Sequence, residues 1–200
     1  RRYEVAEQTN ATSGLPSLQQ LRMDEHTDKG SLVALKVRNY GAIVSSFDSA
    51  VEAQLAREIA RRVRLSDTDA VIYHEGDKFL WISRIANTVD LLENLEGLHR
   101  LVQGGIAIEG REVDLTFNCG VDIAHDRSIE KRIANALQSA EQAVREDELV
   151  CIYEPDNNGV HWEISLLSAL DRAIDSGHVW VDYQPKLDLA SGRSKRDEAL

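Results

Sequence analysis

The sequence predicts an α/β sandwich, with helices laid on an antiparallel or mixed sheet. Segments whose apolar residues recur every three or four positions alternate with short segments of two-residue alternation. A turn at Glu75-Gly76-Asp77 separates the apolar runs Val71-Ile72 and Phe79-Leu80-Trp81-Ile82. This is a hairpin signal, and it excludes an all-parallel sheet. Apolar content of 42% and charged content of 28% in 200 residues suit a globular chain with one core of about 150 residues and an appendage.

In chain order, residues 1–12 are polar and unpatterned, a linker or the end of an upstream helix. Ser13-Gly14-Leu15-Pro16-Ser17 is a turn, and Pro16 suits the first turn of a helix running to about residue 26. Residues 31–39 are a strand, with Val33, Leu35 and Val37 on one face and Ala34, Lys36 and Arg38 on the other. Residues 48–64 are a helix with Val51, Leu55, Ile59 and Val63 inward, and Arg57, Arg61, Arg62 and Arg64 form its solvated face. The hairpin follows. A helix over 88–102 turns Leu91, Leu92, Leu95, Leu98 and Val102 to one side, and Gly104-Gly105 stops it. Strands are expected at 106–108 and 113–121, joined through Glu109-Gly110-Arg111. A helix at 126–144 faces Ile129, Ile133, Leu137 and Ala140 inward, and a strand at 149–153 follows. Asn157-Asn158-Gly159 is a turn and a domain boundary. Beyond it, 162–174 is helical and 179–187 extended.

Composition narrows the function classes. A net charge of −11 argues against nucleic acid, whose phosphates require clustered cations, and against an anionic membrane surface. No apolar run approaches the roughly 18 residues of a spanning helix, and no apolar core follows Arg1-Arg2-Tyr3-Glu4 as it would in a signal peptide. The chain does not begin with Met, so it is expected to be processed or cut from something longer, and it is expected in the cytoplasm. Cys119 and Cys151, without CxxC spacing, are expected as reduced core cysteines. His99, His125, His161 and His178 lack metal-ligand spacing, and Trp81, Trp162 and Trp180 are packing residues.

Two groups of residues resemble a known signalling family. Ser13-Gly14-Leu15-Pro16, the strand at 31–39 and Glu75-Gly76-Asp77-Lys78-Phe79 are similar to the landmarks of a GGDEF domain, the cyclic-di-GMP synthase module, and Cys119-Gly120-Val121 resembles its later strand. Tyr183-Gln184-Pro185-Lys186-Leu187-Asp188-Leu189 and Glu198-Ala199-Leu200 resemble the opening of an EAL domain, the cyclic-di-GMP phosphodiesterase module. The first likeness covers about 9–155 and the second about 160–200. The resemblance implies a degenerate GGDEF domain at 13–156, with a nucleotidyl-cyclase-like mixed sheet flanked by helices. It also implies an orphan helix and strand at 160–200 from a truncated EAL barrel of the TIM type.

The departures from the family decide the functional expectation. Joining two GTP molecules requires carboxylates that hold divalent cations against the triphosphate. By the resemblance, the first-strand carboxylate falls on Lys36, a nearby Asp on Arg38 and the fourth signature letter on Lys78; Glu75 replaces the first glycine. The family's guanine-contacting Asn falls on Val44. Two metal-ligand positions, Lys36 and Lys78, are thus lost, and cyclase activity is excluded. The family's inhibitory RxxD becomes Ser66 and Asp69, without the guanidinium that grips the nucleotide. Gln184 and Glu198 match a substrate contact and a metal ligand of EAL domains, but a barrel takes about 250 residues and only the opening lies here.

These readings lead to a non-catalytic regulatory module that docks on or controls an EAL domain in cis, with a homodimer as a further partner. An alternative is a GTP- or anion-sensing module, with Lys36, Arg38 and Lys78 converging near His74 and replacing a metal as point charges. Another is part of an active phosphodiesterase, and Mg or Mn would then belong to the complete EAL domain; no cofactor is expected for this chain. Val179-Trp180-Val181, cut from a barrel, is expected to pair elsewhere or fold back.

Overall fold

The computed structural model describes residues 9–24, 30–47, 50–103, 105–108, 110–154, 173–174, 176, 183–188 and 193–199. The chain divides into two compact units, 1–153 and 154–200.

The first unit begins with a tight turn. Asn10 Oδ1 accepts the Thr12 and Ser13 amides, each at 3.0 Å, and Thr9 bridges to Pro16. Helix α1, Leu18–Met23, is capped by Ser17, whose hydroxyl accepts the Gln20 amide at 3.3 Å. Pro16 therefore precedes the cap instead of entering the first turn, because its carbonyl is used by the neighbouring strand. The helix also stops at Met23, short of the expected residue 26, where Asp24 adopts an extended backbone.

The remaining elements are β1 (Ser31–Val37), α2 (Tyr40–Ser45), α3 (Ala50–Ser66), β2 (Tyr73–Glu75), β3 (Lys78–Ser83), α4 (Thr88–Gln103), β4 (Ile106–Ile108), β5 (Arg111–Val113), β6 (Phe117–Asp122), α5 (Ile129–Glu146) and β7 (Val150–Ile152). A five-stranded sheet has the order β2-β3-β1-β6-β7. Its first three pairings are antiparallel, and β6 pairs with β7 in parallel, so the sheet is mixed.

Strand alternation feeds two cores. Val33, Leu35, Val37, Phe79, Trp81, Cys119 and Val121 join residues of α3 and α4 in one. Leu32, Ala34 and Leu80 join Leu18, Leu21, Ile133, Ala136 and Ala140 of α1 and α5 in the other. The second layer depends on Gly120. A Cβ there would lie 2.0 Å from the Ala136 carbonyl oxygen and 2.2 Å from the Ala140 nitrogen. Only a glycine lets α5 lie this close to β6.

Several expectations need correction. The strand expected to reach residue 39 ends at Val37, and α2 follows it directly; Asn39 ties that corner by donating to the Asp114 carbonyl and accepting the Thr116 amide. The strand expected over 113–121 is two strands: β5 closes a small hairpin with β4, and β6 enters the main sheet. The inward face expected for α5 does place Ile129, Ile133, Leu137 and Ala140 against the second core, and it extends to Ala136 and Ala143, where close approach to β6 favours small side chains, and to buried Arg132, Asn135 and Ser139. Arg62 is not part of a solvated face. Its guanidinium donates to the carbonyls of Leu101 and Val102, at 2.8 and 3.2 Å, and to that of Gly105, satisfying the C-terminal end of α4. Cys119 is buried, but Cys151 on edge strand β7 is only half-buried; both are free thiols. Burial pushes both thiols up, Cys151 to about 11 with Glu146 adding to the effect.

In the second unit, β8 (Tyr183–Asp188) and β9 (Arg193–Ala199) form an antiparallel pair. The sequence reading expected 179–187 to be extended, which overlaps β8 through residue 187, and gave no strand to 193–199, a charged run without an apolar face. Of the helix expected over 162–174, residues 173–174 are described and helical; 179–181 lie outside the described residues.

Candidate functional site at the signature hairpin

The signature lies on β2 and β3. Glu75 pairs with Lys78, leaving Gly76-Asp77 as a two-residue tip. Gly76 has φ of 58°, the left-handed conformation that a tip closing two right-twisted strands demands of its first residue. Asp77 contributes its carbonyl to the sheet, accepting the Val37 amide at 2.9 Å. The hairpin tip is thereby fastened to the end of β1.

Register then brings together the two positions expected, from the resemblance, to have lost metal ligands. Lys36 is directly opposite Lys78 on one side and Asn118 on the other. All three share the sheet face that bears α5, since Asn118 donates to the Ala143 and Glu148 carbonyls and Lys36 bonds Glu141 of α5. Two ammonium groups opposite one another are mutually unfavourable, and each has recruited a carboxylate: Lys36 pairs with Glu141, and Lys78 with Asp77 at 3.7 Å. Arg38 pairs with Asp147, at 3.6 Å across an exposed gap. The three cations expected to converge on an anion thus have three separate acidic partners, and an incoming anion would displace carboxylates.

The donor set does not fit a divalent cation. Lys36 and Lys78 present ammonium groups, which carry no lone pair and repel a metal. Among the described residues, no group of His, Cys, Asp and Glu is arranged to hold one. Val44 lies in α2, partly buried against the core, so its side chain is used for packing.

On the other side of the hairpin His74 is buried, stacked on Phe79 with ring centroids 4.6 Å apart. Its Nδ1 lies 2.9 Å from Ser13 Oγ, and its Nε2 lies 2.7 Å from the Gly76 carbonyl and 3.4 Å from the Tyr40 hydroxyl. Burial holds the imidazole pKa below its ordinary value, and burial with Glu52 and Asp77 nearby pushes the Tyr40 phenol up.

The remaining expected positions are apart from this group. Ser66 Oγ donates to Asn94 Oδ1 at 2.8 Å, and Asn94 Nδ2 returns a bond to the Ser66 carbonyl at 2.8 Å, so Ser66 ties α3 to α4. Asp69 is exposed. In the second unit Gln184 and Glu198 are register partners across β8 and β9. A cleft of about 610 Å³ is lined by Gln54, Arg57, Glu58 and Arg61 of α3 and by Ala107 and Glu112 of the small hairpin; it contains no signature residue.

Sequence reasoning missed Glu141 and Asn118, which meet Lys36 from positions 105 and 82 residues away, and it missed Ser13 as the partner of His74. The available signal was a basic residue inside an otherwise apolar strand, which has to find an acid when the sheet is covered on that face.

No protein-family model matches the chain, and no curated protein matches it. Solved structures do. The GGDEF domain of TpbB (YfiN) from Pseudomonas aeruginosa matches with a TM-score of 0.65 at 15% identity, over 77% of this chain and 99% of that one. A diguanylate cyclase/phosphodiesterase from Caldicellulosiruptor saccharolyticus matches with a TM-score of 0.63 at 15% identity, over 75% and 96%. The S helix-GGDEF-EAL portion of Vibrio cholerae LapD, bound to c-di-GMP, matches with a TM-score of 0.58 at 14% identity, over 99% of this chain and 49% of that one. At these identities the likeness is one of fold, and the fold of this chain is that of GGDEF domains.

Proposed function

We propose that this chain is a non-catalytic, regulatory GGDEF module of a cyclic-di-GMP signalling protein, controlling or scaffolding an EAL phosphodiesterase domain joined to it. The observation that best supports this is the register that sets Lys36 against Lys78, with Glu141 already bonded to Lys36. Phosphodiester formation between two GTP molecules needs carboxylates there to carry cations. Lysines at these directly opposed positions supply no lone pair for a divalent ion, and their positive charges oppose one. The cores on both sheet faces are filled without those carboxylates, so the fold is available for a regulatory role.

In this reading β8 and β9 are the opening of the EAL domain, and it is helpful that Gln184 and Glu198, the positions resembling a substrate contact and a metal ligand, lie side by side. A cytoplasmic location and an EAL partner in cis belong to the same proposal. The test is incubation of the purified protein with GTP and Mg²⁺ or Mn²⁺, with products separated by ion-pair chromatography. Unconsumed GTP is expected; steady formation of cyclic-di-GMP refutes the reading. Hydrolysis of cyclic-di-GMP by the parent protein, raised or lowered when the first unit is exchanged for an unrelated domain, tests the regulatory part.

A further inference from the structure

We infer that His74 is a proton-operated latch that holds the N-terminal turn, residues 10–16, on the signature hairpin. The latch goes beyond the functional reading above and stands whether or not the module is catalytic.

The geometry is specific about protons. The Gly76 carbonyl can only accept, so the imidazole proton sits on Nε2, and Nδ1 accepts from the Ser13 hydroxyl. Ser13 Oγ in turn accepts the Leu15 amide at 3.2 Å. The backbone of His74 is engaged by the same turn: its amide donates to the Pro16 carbonyl at 2.8 Å, and its carbonyl accepts from Asn10 Nδ2 at 3.4 Å. One residue thus joins the turn, through Ser13, Pro16 and Asn10, to the hairpin tip, through Gly76.

A proton added at Nδ1 disturbs this arrangement in two ways. The Ser13 oxygen becomes an acceptor from both sides, and its own hydroxyl proton loses the acceptor it had, in a buried position. A positive charge is also placed between Phe79 and Tyr40, away from water. The charged groups around the ring are Glu52 from α3 and Glu75 from β2, which favour the cation, with Asp77 at the tip facing the neutral Tyr40 phenol; residues 10–16 contribute no ionisable side chain. Burial outweighs the two carboxylates, and the imidazole pKa lies below its ordinary value.

The sign follows from linkage. The latched form binds fewer protons than the released form, so latching is complete above about pH 6.5 and weakens as pH falls below it. The weakening is at most about tenfold per pH unit and ends where the latched imidazole itself titrates. Release would also uncover the backbone groups of β2, an edge strand of the sheet.

Hydrogen exchange of the whole chain, read by mass spectrometry at pH 7.5, 6.5 and 5.5 and corrected for intrinsic rates, tests the latch. Protection of peptides covering 9–17 and 73–79 is expected to fall between pH 6.5 and 5.5, by no more than about tenfold per pH unit. Peptides from β1, β6 and α5 should hold theirs. His74→Gln, which cannot be protonated, should show low protection that does not vary with pH. Should that variant fail to fold, the imidazole resonances of the unaltered protein remain decisive, with an Nε2-protonated ring and a titration below 6.5 expected. Equal protection at all three pH values overturns the latch. So does a loss shared by β1 and α5, or a His74 titration at or above 6.5.

Discussion

Replacing Gly120 by Ala tests how the sheet carries α5. The added Cβ would lie 2.0 Å from the Ala136 oxygen, 2.2 Å from the Ala140 nitrogen and 2.8 Å from the Ser139 carbonyl carbon. These are backbone atoms of one helix, so no side-chain rotation relieves them. Restoring an ordinary contact of 3.4 Å requires α5 to retreat by roughly 1.4 Å. Such a retreat would thin the layer in which Ile133, Ala136 and Ala140 meet Leu32, Ala34 and Leu80, and would pull Glu141 from Lys36. Overpacking costs about 1–3 kcal/mol, with backbone clashes at the upper end, against a total stability of about 5–15 kcal/mol. A loss of about 3 kcal/mol lowers Tm by roughly 6–12 °C for a domain of this size. Thermal melts followed by circular dichroism, with urea midpoints in parallel, measure it. Gly97→Ala is the opposite control: nothing lies within 4 Å of a Cβ there, and the residue is interior to α4. It should stabilise by about 0.4–1 kcal/mol. A Gly120→Ala protein melting within about 2 °C of the original would refute the close approach of α5 to β6.

Further outcomes follow from individual contacts. Arg62→Lys removes the fork that serves Leu101, Val102 and Gly105 at once, and the urea midpoint should fall by the equivalent of about 1–2 kcal/mol; an unchanged midpoint would return Arg62 to the solvated face. Glu58, bonded by Arg61 and Arg62, has its carboxyl pulled down to about 2, so its contribution is present above about pH 4.5 and is lost as pH falls through 2. Glu58→Gln should therefore flatten the stability profile between those values, and an unaltered acid limb in chemical denaturation would count against the pairing. Lys36 and Glu141 are 22% and 44% exposed, so a double-mutant cycle to Ala should give a coupling of about 0.2–1 kcal/mol; a coupling above about 2 kcal/mol would mean that the pair is far less solvated than its exposure indicates.

The long elements were legible because their patterns are long. The four-residue repeat through Val51, Leu55, Ile59 and Val63 specifies α3, and the alternation through Val33, Leu35 and Val37 specifies β1. Short elements were legible only in part: the strands at 106–108 and within 149–153 were expected, and others were not. Helix α2 covers six residues with a single turn and a half of apolar pattern, and β5 is a three-residue strand whose pairing with β4 depends on a tip at Gly110. Strand β9 reads as a charged segment, and its pairing partner, not its composition, makes it a strand.

The candidate site divides along the same line. Sequence alone determined the chemical identity of the hairpin residues and their neighbour: a glycine able to take positive φ at the tip, and the lysines Lys36 and Lys78. Identity is local, and the side-chain type at a position is the same in any fold. Tertiary structure decided what those lysines do. Whether Lys36 stands free, faces Lys78 or bonds Glu141 depends on strand register and on how closely Gly120 admits α5, and both join residues far apart in the chain. It also decided the role of His74, which the sequence set only beside an expected anion site and which in the fold joins Ser13, Pro16 and Gly76. Such partners are chosen by packing, because a buried polar atom must be satisfied by whatever the fold brings to it.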